Sequence, residues 1–377
     1  MDIYLDNAAT TKLNKEVLSA MEPYLKDIYS NPSSVYSFSK EAKNAVEEAR
    51  DNIAKILKVD ANEIFFTSGG SESDNWAIKG VAFNNYANKG KIITSPIEHK
   101  AVLESVEYLK KFSYDVDYLK VDNEGKVDLD SLRKLLDSET ILLSIMFANN
   151  EIGTIQPIKE ISKILEGHKA LFHVDAVQAL GSLEFDINDL GADLMSFSSH
   201  KIGGPKGIGI LYIKNGTPID SFIHGGSQEK NKRAGTENVA SIVGLSKAFD
   251  LLAKSKKENI KKIKEMKDFM LDRLLKVDGV YLNGSREDRL PGNINISIDG
   301  VESQLLLILL DKSDIFASSG SACNAGSINP SHVLKAIGRN DNLAKNCLRL
   351  TINENNNIDE IKQASDIIIN TINKLRS

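Results

Sequence analysis

Cysteine is scarce in this sequence. Two stand among 377 residues, Cys323 and Cys347, too few for a disulfide framework, and neither belongs to a CxxC or Cys/His cluster with zinc spacing. No metal site is expected, and any special cysteine acts as a free thiol. Long apolar runs are missing too: nothing approaches the roughly 20 apolar residues that a membrane span needs. Met1-Asp2 and the short apolar run ending at Asp6 have neither the charge pattern nor the length of a secretory signal. A cytoplasmic protein with no membrane partner is the expectation. Charge of one sign is also lacking, because 47 basic and 52 acidic residues lie interspersed and sum to -5. Without a basic stripe to neutralise phosphates, no direct nucleic-acid partner is expected. There is no low-complexity tract and no internal repeat, and a composition of 41% hydrophobic and 26% charged residues is that of an ordinary folded chain. Its length suffices for roughly two or three domains with a large core.

What is present is alternation. Short runs rich in β-branched residues, near 63–67, 91–94, 141–147, 170–174, 192–197 and 208–213, alternate with longer segments of helical period. That is the pattern of an α/β protein with a mainly parallel sheet flanked by helices. Between Phe38 and Leu57, the residues Phe38, Ala42, Ala45, Val46, Ala49, Ile53 and Ile56 recur three or four apart and predict an amphipathic helix. A lysine-rich helical pattern runs from Asn238 to Leu275, followed by a turn at Asn283-Gly284 and a shorter mixed α/β tail. The change of pattern predicts a boundary near 250. A last helix, with Ile358, Ile361, Ala364, Ile368, Ile372 and Leu375 on one stripe, is expected to close a smaller α/β domain.

Ligands of open α/β sheets bind beyond the carboxyl ends of the strands, and here those ends are polar. Ser68-Gly69-Gly70-Ser71 follows 63–67 and opens a helix; Asn149-Asn150-Glu151 follows 141–147; Asp175 and Gln178 follow 170–174; Ser198-Ser199-His200-Lys201 follows 192–197. The Gly69-Gly70-Ser71 turn suits a phosphate at a helix N-terminus. It suits equally a plain capping box, with Ser71 and Asp74 three residues apart. The GxxxxGK[ST] and GxGxxG spacings are absent. Lys201, between an apolar strand and the turn-rich Ile202-Gly203-Gly204-Pro205-Lys206-Gly207, is placed to be a partly desolvated, nucleophilic amine; a solvated surface lysine is the alternative. Asp175 suits a carboxylate that pairs a pyridinium nitrogen, and its alternative is a buried structural salt bridge.

The strings LDNAATT (5–11), NPSS (31–34), FTSGGSESDN (66–75), TSPIEHKAV (94–102), NNEIG (149–153), HVDAVQ (173–178), SFSSHKIGGPKGIG (196–209), RAGTENV (233–239) and SSGSACNAG (318–326) resemble, in order, the motifs of the NifS/IscS-type cysteine desulfurases of the class V aminotransferase fold. The resemblance covers residue 3 to about residue 350. It implies a fold-type I homodimer using pyridoxal 5'-phosphate, with a large domain over 15–250 and a small domain built from 1–14 and 251–377. It implies a Schiff base on Lys201, Asp175 at the ring nitrogen, Gln178 at the ring hydroxyl, and His99 stacked on the ring as acid/base. Gly70, Ser71, Ser198 and His200 would hold the phosphate with the partner subunit's Thr236. Asn150 would serve both cofactor and substrate, and Arg349 would hold the substrate carboxylate as a bidentate fork. Cys323 would be the nucleophile, taking sulfur from L-cysteine as a persulfide and leaving L-alanine. The small residues on both sides of it suit a loop that swings in a cleft, whereas Cys347 reads as structural.

An acceptor protein for the sulfur, either an iron–sulfur scaffold or a tRNA-thiolating enzyme, is implied as well. A selenocysteine lyase or class V transaminase would share Lys201, Asp175 and His99. Three departures from the family pattern stand out. Val35-Tyr36-Ser37 follow NPSS where a histidine is common, Ser199 replaces a frequent glycine, and the chain stops at Ser377 without the C-terminal extension that IscS-type members offer to a scaffold.

Overall fold

The computed structural model of the chain describes residues 2–320 and 330–377. It opens with a short strand, β1 (Ile3–Tyr4), and two helices, α1 (Lys15–Lys26) and α2 (Ser39–Leu57). Helix α2 buries Ala42, Ala45, Val46, Ala49 and Ile53 as its period predicts, and ends on Lys58 in the left-handed conformation. Phe38 departs from the predicted stripe. It precedes the first turn, stands 48% exposed and meets Tyr29 edge-on with ring centroids 5.4 Å apart.

Among the described residues seven strands form the larger sheet: β2 (Ile64–Thr67), β3 (Lys91–Thr94), β4 (Asp115–Tyr118), β5 (Thr140–Met146), β6 (Leu171–Asp175), β7 (Leu194–Ser198) and β8 (Gly209–Ile213). Their order is β2-β8-β7-β6-β5-β3-β4. β8 runs antiparallel to both neighbours, and the remaining pairs are parallel. The central strands are buried on both faces, which is why they read as near-continuous apolar runs. β4 has the sequence DVDY and closes an edge; its exposed carboxylates discourage pairing with another chain. α3 (Gly70–Asn84) and α4 (Lys100–Lys110) cover one face through Trp76, Ile78, Val81, Val102 and Val106.

One 36-residue helix, α5 (Val239–Leu274), runs for roughly 54 Å at 1.5 Å per residue. Its first part, to Phe249, joins the core of the larger sheet; from Ile263 it joins a second core. The change of packing partner therefore falls within a continuous helix, between Leu252, which still packs on the first core, and Ile263. The second core surrounds β9 (Val280–Leu282), β10 (Asn293–Ile298) and β12 (Cys347–Thr351), which form an antiparallel sheet, while β11 (Ile315–Phe316) pairs with β1. The last helix, α6 (Ile358–Arg376), buries Ile361, Ala364, Ile368 and Ile372. Ile358 is the first residue of the helix, 41% exposed, and lies within the Asn357/Glu360 capping box.

Candidate active site

Five strand ends of the larger sheet, with the segment after β1 and Arg349 of β12, surround a cavity of about 460 Å³. Gly70, Ser71, His99, Asn150, Asp175, Gln178, Ser198, His200, Lys201 and Arg349 all line it. Thr236 does not, and is exposed on the surface of its own chain. Cys323 lies outside the described residues.

The end of β2 turns sharply at Gly69, whose φ of 148° favours glycine. Helix α3 starts at Gly70 with no side chain capping it. Ser71 lies inside the first turn, so the capping-box alternative does not form. A Cβ on Gly70 would stand 2.7 Å from Val177 Cγ2, so that this close approach of helix to strand end requires glycine. The uncapped amides and the helix dipole suit a phosphate. Ser198 ends β7 almost fully buried, and His200 Nδ1 meets Thr10 Oγ1 at 3.2 Å. Burial, with the nearby positive charges of Lys201 and Lys206, holds His200 down to about 4. At neutral pH it is a neutral ring.

Asp175 ends β6, 5% exposed, and its Oδ1 accepts the Val177 N–H at 3.0 Å. Burial raises its pKa against the pull of His99, the Val177 N–H and Lys201. No salt bridge holds it, so the structural alternative for Asp175 does not form among the described residues. Asp74, 1% exposed, lines the same cavity; burial and then the charge of Asp175 raise its pKa. Lys201 ends a short turn after β7. Its Nζ donates to the carbonyl oxygens of Ala8 and, at 2.8 Å, Ala9, and Gln178 Nε2 donates to Ala8 O at 3.2 Å. Lys201 is thus held half-buried by the segment after β1 and is not a solvated surface residue.

His99 caps α4: its Nδ1 accepts the Ala101 N–H at 3.1 Å, which leaves the ring proton on Nε2. Asn149 builds the neighbouring corner, taking the Glu151 and Ile152 N–H groups on Oδ1 and giving Nδ2 to Ile97 O at 2.7 Å. Asn150 is turned to the cavity as a result, and its carbonyl accepts Arg349 Nη1 at 3.1 Å. Arg349 is 1% exposed and its Nη2 donates to Asp6 Oδ1 at 2.7 Å. The expected open fork is therefore partly engaged. The Arg349 main chain exchanges hydrogen bonds with Ser318 at 2.6 and 3.2 Å. Cys347 is buried, donates to Ser319 O at 2.9 Å, and burial pushes its thiol up to about 12.

Asp74, which lines the cavity, and Asp6, which reaches it only through Arg349, were not singled out as site residues by sequence reasoning. Asp6 stands inside the LDNAATT string, but nothing local tells that it meets an arginine 343 positions away.

The cavity fits pyridoxal 5'-phosphate. The uncapped α3 terminus suits its phosphate, and the buried Asp175 carboxylate, disfavoured by desolvation, gains from a cationic ring nitrogen. The family description "Aminotransferase class-V" matches residues 3–364. The chain belongs to the class-V aminotransferase family. A relative named cysteine desulfurase IscS, from Dictyoglomus turgidum, is 49% identical over 378 residues, covering 100% of this chain and 96% of its own. Among solved structures, a NifS-like protein superposes with a TM-score of 0.94 at 38% identity, covering 99% of this chain and 100% of its own. Another, SspA in complex with cysteine, gives 0.83 at 35% identity, covering 93% and 99%.

Proposed function

We propose that the chain is a pyridoxal-phosphate-dependent cysteine desulfurase, which converts L-cysteine to L-alanine and keeps the sulfur as a persulfide on Cys323 for an acceptor protein. The observation that carries this reading is the join at Arg349. Its main chain pairs with Ser318, and Cys323 follows Ser318 by five residues in the sequence. One backbone bridge thus joins the arginine suited to a substrate carboxylate to the sequence segment that leads to the thiol. The similarity to proteins named cysteine desulfurase, and to one solved with cysteine, supports the same reading.

Bound pyridoxal phosphate supplies an electron sink for charge developing at the substrate's Cα. Gly70, Ser71, Ser198 and His200 would hold its phosphate, Asp175 its ring nitrogen and Gln178 its hydroxyl. Lys201 would bear the cofactor and take the Cα proton on Nζ, beside the Ala8 and Ala9 carbonyls that orient it. His99 would move a proton on Nε2, since Nδ1 is committed to its helix. Asn150 and Arg349 would orient the substrate. In the balanced step the C–S bond of cysteine breaks, an S–S bond to Cys323 Sγ forms, and the thiol proton ends on the methyl carbon of alanine. The same reading takes the protein as a cytoplasmic homodimer, with the partner subunit's Thr236 at each phosphate. The sulfur acceptor would be an iron–sulfur scaffold or a tRNA-thiolating enzyme.

The test is to incubate the holoenzyme with cysteine and a thiol reductant and assay alanine and sulfide together. The parent and Cys347→Ser should release both in equal amounts, while Cys323→Ser should lose sulfide release by at least about a hundredfold, a serine hydroxyl being a far poorer nucleophile. Its cofactor absorbance should still change on adding cysteine. Undiminished sulfide from Cys323→Ser would overturn the reading.

A further inference from the structure

Arg349 presents its donors in a rigid plane. Nη1 is spent on Asn150 O and Nη2 on Asp6 Oδ1, while Nε is buried and finds no partner among the described residues. Nε and Nη2 form the side-on edge of a guanidinium, the edge that a carboxylate engages with both oxygens at once. Asp6 engages half of it. The two partners are also unequally held: the arginine side chain is 1% exposed and the aspartate 18%. Around the carboxylate the main chain is pinned, with Asp6 bridged to Thr351 and its carbonyl accepting from Tyr4 Oη at 3.1 Å and from the Ala9 N–H at 3.0 Å. The side chain can thus turn to water without moving the strand end.

We propose that Asp6 is a positioning residue that acts through Arg349: a resident carboxylate which the α-carboxylate of the incoming amino acid must displace. This rests on the reading of Arg349 as the substrate carboxylate site. The exchange is favourable because a carboxylate that reaches both Nη2 and Nε pairs a buried donor that Asp6 leaves unpaired, and such donors are costly. It also has a cost, the loss of the Asp6 ion pair. Asp6 therefore weakens substrate binding, keeps the buried guanidinium paired between turnovers, and selects for ligands that bear a carboxylate.

The experiment compares Asp6→Asn and Asp6→Ser with the parent holoenzyme. It measures the calorimetric dissociation constant of L-alanine, the KM and kcat for L-cysteine, and the affinity for cysteamine, which lacks the carboxylate. Competition predicts that alanine binds about three- to tenfold tighter and KM falls by a similar factor, with kcat within about twofold and cysteamine unchanged. Weaker or unchanged alanine binding in the folded variants overturns the proposal, because an aspartate that merely orients the arginine would weaken binding when removed. An equal gain for cysteamine overturns it too. If the parent forms no alanine and sulfide, the desulfurase reading fails, and the alanine titrations still decide the contact.

Discussion

Two buried ionisable side chains, His173 and Glu98, are held toward their neutral forms by burial. His173 is fully buried between Ser144 Oγ at 2.8 Å and Ser196 Oγ at 2.9 Å, and burial holds it down to about 3. Glu98 is equally buried. Its Oε1 accepts Ser95 Oγ at 2.5 Å, Oε2 has no partner among the described residues, and burial pushes the carboxyl up to about 8. A carboxyl whose pKa is raised on folding binds its proton more tightly in the native state, so its contribution to stability is complete below about 4.5 and is lost as pH rises to about 8. Glu98→Gln, which stays neutral, should therefore flatten the fall of stability between pH 5 and 8. At pH 8 it should unfold with a free energy higher than the parent's by at least about 1 kcal/mol, as denaturant titrations at several pH values would register. A variant less stable than the parent at pH 8 would mean that Glu98 is ionised in the native protein. None of this is legible in the sequence. Glu98 stands in the EHK string, where its neighbour His99 draws the chemical argument, and its burial depends on helices and strands brought over it by the fold.

At the scale of elements, the strands whose residues are buried on both faces were the readable ones, because a continuous apolar run leaves a local trace. β4 left none: DVDY alternates acid and apolar residues at an edge. The direction of β8 was also hidden, since antiparallel pairing of one strand leaves no mark on its own composition. The start of α3 could be read two ways from Ser71 and Asp74, and its position one residue after Gly69 decides between them. That geometry makes a prediction. Gly70→Ala adds a methyl 2.7 Å from Val177 Cγ2, and Val177 donates its N–H to Asp175, so the added volume pushes on both the phosphate end and the ring-nitrogen end of the site. Overpacking of this kind costs about 1–2 kcal/mol. Titration of the apoprotein with pyridoxal phosphate should give binding roughly tenfold weaker, with helix content unchanged by circular dichroism. Equal affinity would mean that α3 gives way without strain.

For the whole molecule, the unlined position of Thr236 is the informative one. It is exposed and absent from the cavity of its own chain, and Leu25, Tyr29, Val35 and Tyr36 leave apolar surface exposed by 53% or more along and after α1. Both facts suit a second copy. Thr236→Ala should weaken cofactor retention by about three- to tenfold, the loss of one hydrogen bond to a charged group, while sedimentation still reports a dimer. A monomer that retains the cofactor at full strength would remove the composite site from the proposal. The pairing of β1 with β11 has a consequence during synthesis. Ile3 leaves the ribosome first and its partner Ile315 near the end, an interval of roughly 15–60 s at ordinary rates of translation. Over that interval the strands between Ile64 and Ile213 can close on one another, while Asp6 has no Arg349 to meet. Lys201, Asp175 and the α3 turn can thus come together well before the residues from β11 onward arrive, so on the proposed reading a nascent chain can build the place for its cofactor ahead of its thiol.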